Sequence, residues 1–179
     1  MSIENKVPAI RFKGFSRAWE ERGMLDCSSA IGDGLHGTPK YTEGSGIHFI
    51  NGNNLISGSI FITDETKEVK KEEQSKSDQN LGFNTILISI NGTIGNLAWY
   101  RGEEVMLGKS VAYISLKNCD YSYIYFYLQT KRIDNYFFSN LTGSTIKNLG
   151  LKTIRETAVI IPENELEQTQ IGSYFQQLD

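Results

Sequence analysis

Adjacent prolines are missing from this chain: Pro8, Pro39 and Pro162 are the only three, and none neighbours another. That excludes the Asn/Asp-Pro-Pro-aromatic loop an amino-methyltransferase needs. Cysteine is equally scarce. Cys27 and Cys119 stand alone without a CxxC partner, so neither a zinc site nor a disulfide framework is indicated. The two histidines, His36 and His48, lie twelve positions apart, and no HExxH or GxSxG occurs. No window approaches the run of about 18 apolar residues a membrane helix needs, and the opening "MSIENKVPAIRFKGF" lacks the apolar stretch of a signal peptide. The expectation is a cytoplasmic protein with no catalytic residues, no metal, no cofactor and no membrane partner. The sequons at Asn91 and Asn140 are then chance matches.

What is present suits one soluble domain. The chain has 179 residues, 39% of them hydrophobic and 22% charged, enough to bury roughly 70% of its unfolded surface. A net charge of −3 argues at first against a nucleic-acid partner, but the charge is segregated. Residues 131–155 carry Lys131, Arg132, Lys147, Lys152 and Arg155 against Asp134, a local +4. Residues 156–179 carry Glu156, Glu163, Glu165, Glu167 and Asp179 with no base, a local −5. A local patch, not the net value, attracts phosphates; a basic segment beside an acidic helix also has the plain reading of a solvated surface.

Strands are predicted at Thr85–Ile90 and Asn96–Tyr100, joined through "NGTIG" with its Asn91-Gly92 hairpin signal. Others are predicted at Ser110–Leu116, Gly46–Ile50 and Thr157–Pro162, with "SGSIFIT" a weaker candidate. Helices are predicted over Glu65–Ser77, polar all round, and over Tyr121–Asn140, where Ile124, Tyr127, Leu128, Ile133 and Phe137 make an apolar stripe. Lys131 and Arg132 would sit near that helix's end and complement its dipole. A last helix begins after Pro162, capped by Asn164 with Glu167 placed to reach back to the cap. Its stripe is Ile171, Tyr174, Phe175 and Leu178. The order is that of a mixed α/β (α+β) domain with short strands and Gly-rich loops.

Two near-motifs fail on context. "GDGLHG" (Gly32–Gly37) satisfies GxGxxG, but "TPKYTEGSG" follows where a helix should open, and Asn53 and Asn54 stand where an acidic residue is needed. "GEEVMLGKS" (Gly102–Ser110) has five residues between its glycines instead of a phosphate loop's four, and it leads into a strand.

Five marks nevertheless occur together in a fixed order. "VPAIRFKGFSRAWEE" opens the chain; "GDGLHGTP", "ILISINGTIGNLAW", "LTGSTIKNLGLKTIRETAVIIP" and "ENELEQTQIGSYFQQLD" follow. From Pro8 to Asp179 this arrangement closely resembles the N-terminal half of a specificity subunit of a type I restriction–modification system. Arg11, Phe12, Gly14, Phe15 and Trp19 match the family's opening signature; Gly37, Thr38 and Pro39 its first glycine loop; Asn91 to Gly95 its central turn; Gly143, Ser144 and Thr145 its late GST turn. Leu166, Glu167, Gln168, Ile171, Phe175, Leu178 and Asp179 match the opening of its conserved helical region. Glu163 stands where the family usually shows a second proline.

The resemblance implies a single DNA target-recognition domain over residues 1–162, followed at 163–179 by the truncated start of a spacer helix. In the family that helix pairs with a second one and holds two recognition domains apart. The implied partners are double-stranded DNA, the modification (methyltransferase) subunits and the restriction subunits, with self-association through Ile171, Tyr174, Phe175 and Leu178. Other readings stay open: a natural half subunit that dimerises, a protein-interaction module using the aromatic stripe of Tyr121–Phe138, and a last helix that folds back on its own domain. Candidate DNA contacts are His36, Thr38 and Lys40 in the first glycine loop and Asn51, Asn53 and Asn54 after "GIHFI". Lys109, Ser110, Ser144, Thr145 and Lys147 complete the set. Asn-rich loops have a second reading as plain turns, because Asn tolerates positive φ. Family members read different sequences on a shared framework, so base readout is expected outside the framework motifs, chiefly in residues 40–83 and 101–110.

Overall fold

The computed structural model describes residues 7–178. Twelve short strands and five helices are named here in chain order: β1 (Glu20–Gly23), β2 (Ser28–Asp33), β3 (Tyr41–Thr42), β4 (His48–Ile50), β5 (Leu55–Ile56), β6 (Ser59–Ile60), β7 (Glu68–Val69), α1 (Lys76–Gln79), β8 (Thr85–Ser89), β9 (Leu97–Trp99), β10 (Val105–Leu107), β11 (Val111–Leu116), α2 (Tyr121–Leu128), α3 (Lys131–Ser139), α4 (Leu151–Arg155), β12 (Ala158–Ile161) and α5 (Glu165–Gln176).

The main sheet runs β2-β11-β8-β9, antiparallel throughout. Its central strands are buried on both faces, and the period-2 alternation of strand side chains divides them between two cores. Ile86, Ile88, Ala112, Ile114 and Trp99 join the cluster formed with α2, α3 and β12, while Leu87, Ala98 and Val111 join Ile50, Leu55 and Leu107 on the other side. Trp99 is packed among Tyr121, Tyr125 and Phe126, with ring centroids 4.4, 3.8 and 6.2 Å away. A second sheet, β10-β4-β7-β3, covers the far side; its β10–β4 pair is parallel. β5 with β6 and β1 with β12 form two further antiparallel pairs.

Four local expectations are corrected. Residues 65–77 form no long helix: β7, a 3-10 turn at Lys71–Glu73 and the short α1 occupy the stretch. A segment polar all round has no face to bury, and the chain instead buries Val69 in the second sheet. Residues 121–140 form two helices rather than one, broken at Gln129–Thr130. The Thr130 backbone is extended and its hydroxyl donates to the Tyr127 carbonyl at 2.7 Å, the competition with helical bonding that hydroxyl side chains offer. Lys131 and Arg132 therefore lie in the first turn of α3, the end at which positive charge opposes the helix dipole. Lys131 is set 3.5 Å from Asp134. Finally, Glu167 does not close a capping box. Asn164 caps α5 by accepting from the Leu166 N–H at 2.9 Å, but the fully buried Glu167 carboxylate pairs with Arg11 at 2.6 and 2.7 Å and accepts from the Trp19 indole at 3.3 Å. The opening signature is thereby tied to the last helix.

α5 folds back on its own domain. The Gln168 side chain accepts from the Asp120 N–H at 2.8 Å and donates to the Pro162 carbonyl at 2.7 Å. Thr169 donates to Asp120 at 2.9 Å. A Cβ on Gly172 would come within 2.6 Å of the Ser122 Cβ, so glycine is what permits the two helices to approach this closely. Ile171 packs against the core, whereas Tyr174, Phe175 and Leu178 stay 49%, 45% and 66% exposed.

Candidate nucleic-acid interface

The corner between β10 and β11, residues 107–111, gathers the loops that carry most of the candidate residues. From the first glycine loop, the Leu35 N–H donates to the Leu107 carbonyl at 2.8 Å and the Gly34 N–H to the Val111 carbonyl at 3.1 Å. A Cβ on Gly34 would collide with the Leu107 carbonyl oxygen, so this glycine of "GDGLHG" serves a close backbone crossing. From the loop after β4, the Gly52 N–H donates to the Ser110 hydroxyl at 2.8 Å, and that hydroxyl donates to Asn51 Oδ1 at 3.1 Å. From the central turn, the Ile90 N–H donates to the Ser110 carbonyl at 2.9 Å and the Asn91 amide to the Lys109 carbonyl at 3.4 Å. The buried Asp78 carboxylate accepts from the Leu107 N–H at 3.0 Å. Asn91 also bridges to Asn148, and the Leu149 N–H donates to the Ile90 carbonyl at 2.9 Å, which seats the late GST loop beside the central turn.

Two concavities result, and His36 and Lys109 line both. One, of about 330 Å³, adds Thr38, Tyr41, Phe49 and Asn51; the other, of about 420 Å³, adds Asp33, Asn91, Ile146 and Asn148. His36 is held by Asp33, Nε2 to Oδ2 at 2.6 Å. A larger bowl of about 830 Å³ adjoins the first of these across Tyr41, at β3, β4 and β7, and it is acidic: Glu43, Asp64, Glu65 and Glu68 outnumber Lys67 and His48. The Ser45 backbone N–H, donating at 2.8 Å, is the main group holding the Glu68 carboxyl below the usual carboxylate range. Such a bowl repels phosphate. The smaller pair of concavities carries Lys109 with only Asp33 as an acid and borders the exposed GST loop with Lys147, so it is less negative than the bowl.

The structure thus brings His36, Thr38, Asn51 and Lys109 together, with Ser110 beside them. The Ser110 hydroxyl is already engaged, as is Asn54, which accepts from the Asn51 N–H at 2.9 Å and donates to the Phe61 carbonyl at 3.0 Å. Asn53 and Lys40 lie exposed outside these concavities, and the Lys40 backbone N–H faces Glu73 at 3.4 Å. One expectation is corrected: Gly143-Ser144-Thr145 do not start a helix. They form a loop closed by reciprocal Thr142–Asn148 backbone bonds of 2.9 Å, and the next helix begins at Leu151. Ser144, Thr145 and Lys147 are exposed on it. Nor is residues 131–155 a single basic patch, since Lys152 lies 3.8 Å from Glu156 and Arg155 donates to the Ile31 carbonyl at 3.0 Å. Tyr41, Phe49, Asp33 and Ile146 also line these concavities; sequence reasoning singled out none of them, although Tyr41 and Phe49 fall within the 40–83 stretch where readout is expected.

Among the described residues no group of three or more His, Cys, Asp or Glu side chains could hold a metal ion, and no helix is long and apolar enough to cross a membrane. The family model for the type I restriction modification DNA specificity domain matches residues 37–179. No curated protein matches the chain. Among solved structures, the type I restriction–modification S subunit from M. genitalium is 18% identical with a TM-score of 0.63, covering 98% of this chain and 41% of that one. The HsdS subunit from Thermoanaerobacter tengcongensis is 15% identical with a TM-score of 0.66, covering 97% and 40%. The likeness to these structures is one of fold, and the chain spans about two fifths of their length.

Proposed function

Because the chain belongs to the family of type I restriction modification DNA specificity domains, we propose that the face around Lys109 reads one half of a bipartite DNA site. The observation that supports this reading most is the convergence at residues 107–111. Segments far apart in sequence are hydrogen-bonded into one frame, and His36, Thr38, Asn51 and Lys109 project around it. A rigid frame bearing donors and acceptors suits base edges, which need fixed geometry, while flanking lysines suit phosphates, which need only charge. Ser144, Thr145 and Lys147 form a phosphate contact from an exposed loop. Lys109 and His36 take the readout role, and the ring edges of Tyr41 and Phe49, with centroids 6.1 Å apart, supply apolar surface beside them.

The domain occupies residues 1–162, and 163–179 begin a spacer helix. In the cell the domain acts in the cytoplasm as a non-catalytic element that directs modification and restriction subunits to DNA. A salt titration of duplex binding tests the reading. Affinity falls by about 0.9 log unit per log unit of salt for each phosphate neutralised; a binding curve indifferent to salt contradicts it. Purified alone, the chain transfers no methyl group to DNA, and detection of such transfer would overturn the non-catalytic assignment.

A further inference from the structure

Ile146 is 73% exposed at the tip of the GST loop, an apolar side chain between Thr145 and Lys147. The loop that carries it is, however, tightly built. Thr142 and Asn148 exchange backbone hydrogen bonds of 2.9 Å in both directions, and Asn148 is bridged to Asn91 of the central turn. Gly143 has φ +87°, and the Ile146 carbonyl oxygen fills the place a Cβ at Gly143 would occupy, so only glycine closes this turn. The tip is fixed before any partner arrives, which limits the ordering cost of inserting it into one. It also borders the concavity lined by His36 and Lys109.

From this placement we infer that Ile146 enters a groove of the duplex and packs against a base step, partly unstacking it. The inference rests on the reading of this face as the DNA interface. An exposed apolar side chain flanked by phosphate-binding groups is how wedges that kink DNA are arranged. Ser144, Thr145 and Lys147 hold the backbone on either side of the step, and Ile146 contributes contact without charge. Its loss therefore costs affinity without altering the number of counterions released.

The probe is the duplex most enriched by the unaltered chain from a library with a randomised centre, carrying 2-aminopurine in place of each adenine or pyrrolocytosine in place of each cytosine, one position at a time. Binding raises the analogue's fluorescence at one step. Ile146→Ser abolishes that rise and weakens binding about tenfold or more, the equivalent of one apolar side chain buried on binding, with an unchanged salt slope. Ile146→Leu keeps both signal and affinity. Because the residue is exposed, neither variant moves the thermal midpoint. If Ile146→Ser binds with full affinity, keeps the fluorescence rise or shows a shallower salt slope, the wedge is overturned. If no position brightens with the unaltered chain while a duplex is enriched and bound, the wedge falls and the DNA interface stands. If no duplex is enriched, both fall together.

Discussion

Lys147 sits exposed beside the apolar tip and contributes charge where Ile146 contributes contact. The two substitutions therefore separate. Lys147→Ala weakens binding to all duplexes by a similar factor and lowers the salt slope by about 0.9. It leaves the preferred sequence unchanged, because a phosphate contact carries no base identity; competition among duplexes of different sequence reads this directly. Glu68 makes a different statement, about pH. Its folded carboxyl lies below the usual range, chiefly through the Ser45 N–H, with His48 3.7 Å away adding to it. A group lowered on folding stabilises the protein above its unfolded pKa, and that contribution is lost as pH falls through the folded value. Glu68→Gln thus lowers the thermal midpoint near neutral pH and narrows the gap to the unaltered chain in acid. A gap that stays constant through the carboxylate range assigns Glu68 no such role.

At the scale of elements, legibility followed periodicity. β8 and β11 were readable from their β-branched residues, and β9 from the Asn91-Gly92 turn that pairs it with β8; the central strands are buried on both faces. α5 was readable from Asn164 and its stripe. The long helix over 65–77 was not there, because charge without an apolar face gives a helix nothing to pack on, and the stretch instead buries Val69 in the second sheet. The break at Gln129–Thr130 is a local turn, closed by the backbone N–H and the hydroxyl of Thr130 on the Tyr127 carbonyl, and the apolar stripe runs through it unbroken. Glu167 had a local role available at the cap and took a distant one with Arg11, a choice set by the tertiary fold. α5 also keeps a second surface free: its Gln168–Gly172 face is docked on α2, while Tyr174, Phe175 and Leu178 remain about half exposed or more. We propose that this surface, with Ile171, mediates self-association or partner contact, each fully buried apolar side chain contributing roughly 1.5–3 kcal/mol. Changing the exposed Tyr174 and Leu178 together to Asp abolishes any dimer seen by analytical ultracentrifugation and leaves the thermal midpoint unchanged. A monomer before the change, or an unaltered dimer after it, removes the interface. Gly172→Ala acts on the docked side instead: the added methyl meets Ser122, and α5 detaches, lowering the thermal midpoint by several degrees.

For the whole molecule, the five marks in family order foretold the fold and the DNA reading, but their spatial meeting could not be read from the chain. His36, Asn51 and Lys109 lie in different segments, and only the crossing of Gly34 under Leu107 and the Ser110 hydroxyl between Gly52 and Asn51 place them side by side. Part of the candidate set is accordingly structural: Ser110 and Asn54 are engaged within the fold. The most direct measurement is selection from a duplex library with a randomised centre, run in parallel with the unaltered chain, Lys109→Ala and, in the acidic bowl, Asp64→Asn. The unaltered chain and Asp64→Asn should enrich the same short sequence, and Lys109→Ala should lose or change the preference at specific positions of it. Enrichment of an identical sequence by Lys109→Ala, or a changed sequence from Asp64→Asn alone, would contradict the assignment of readout to this face.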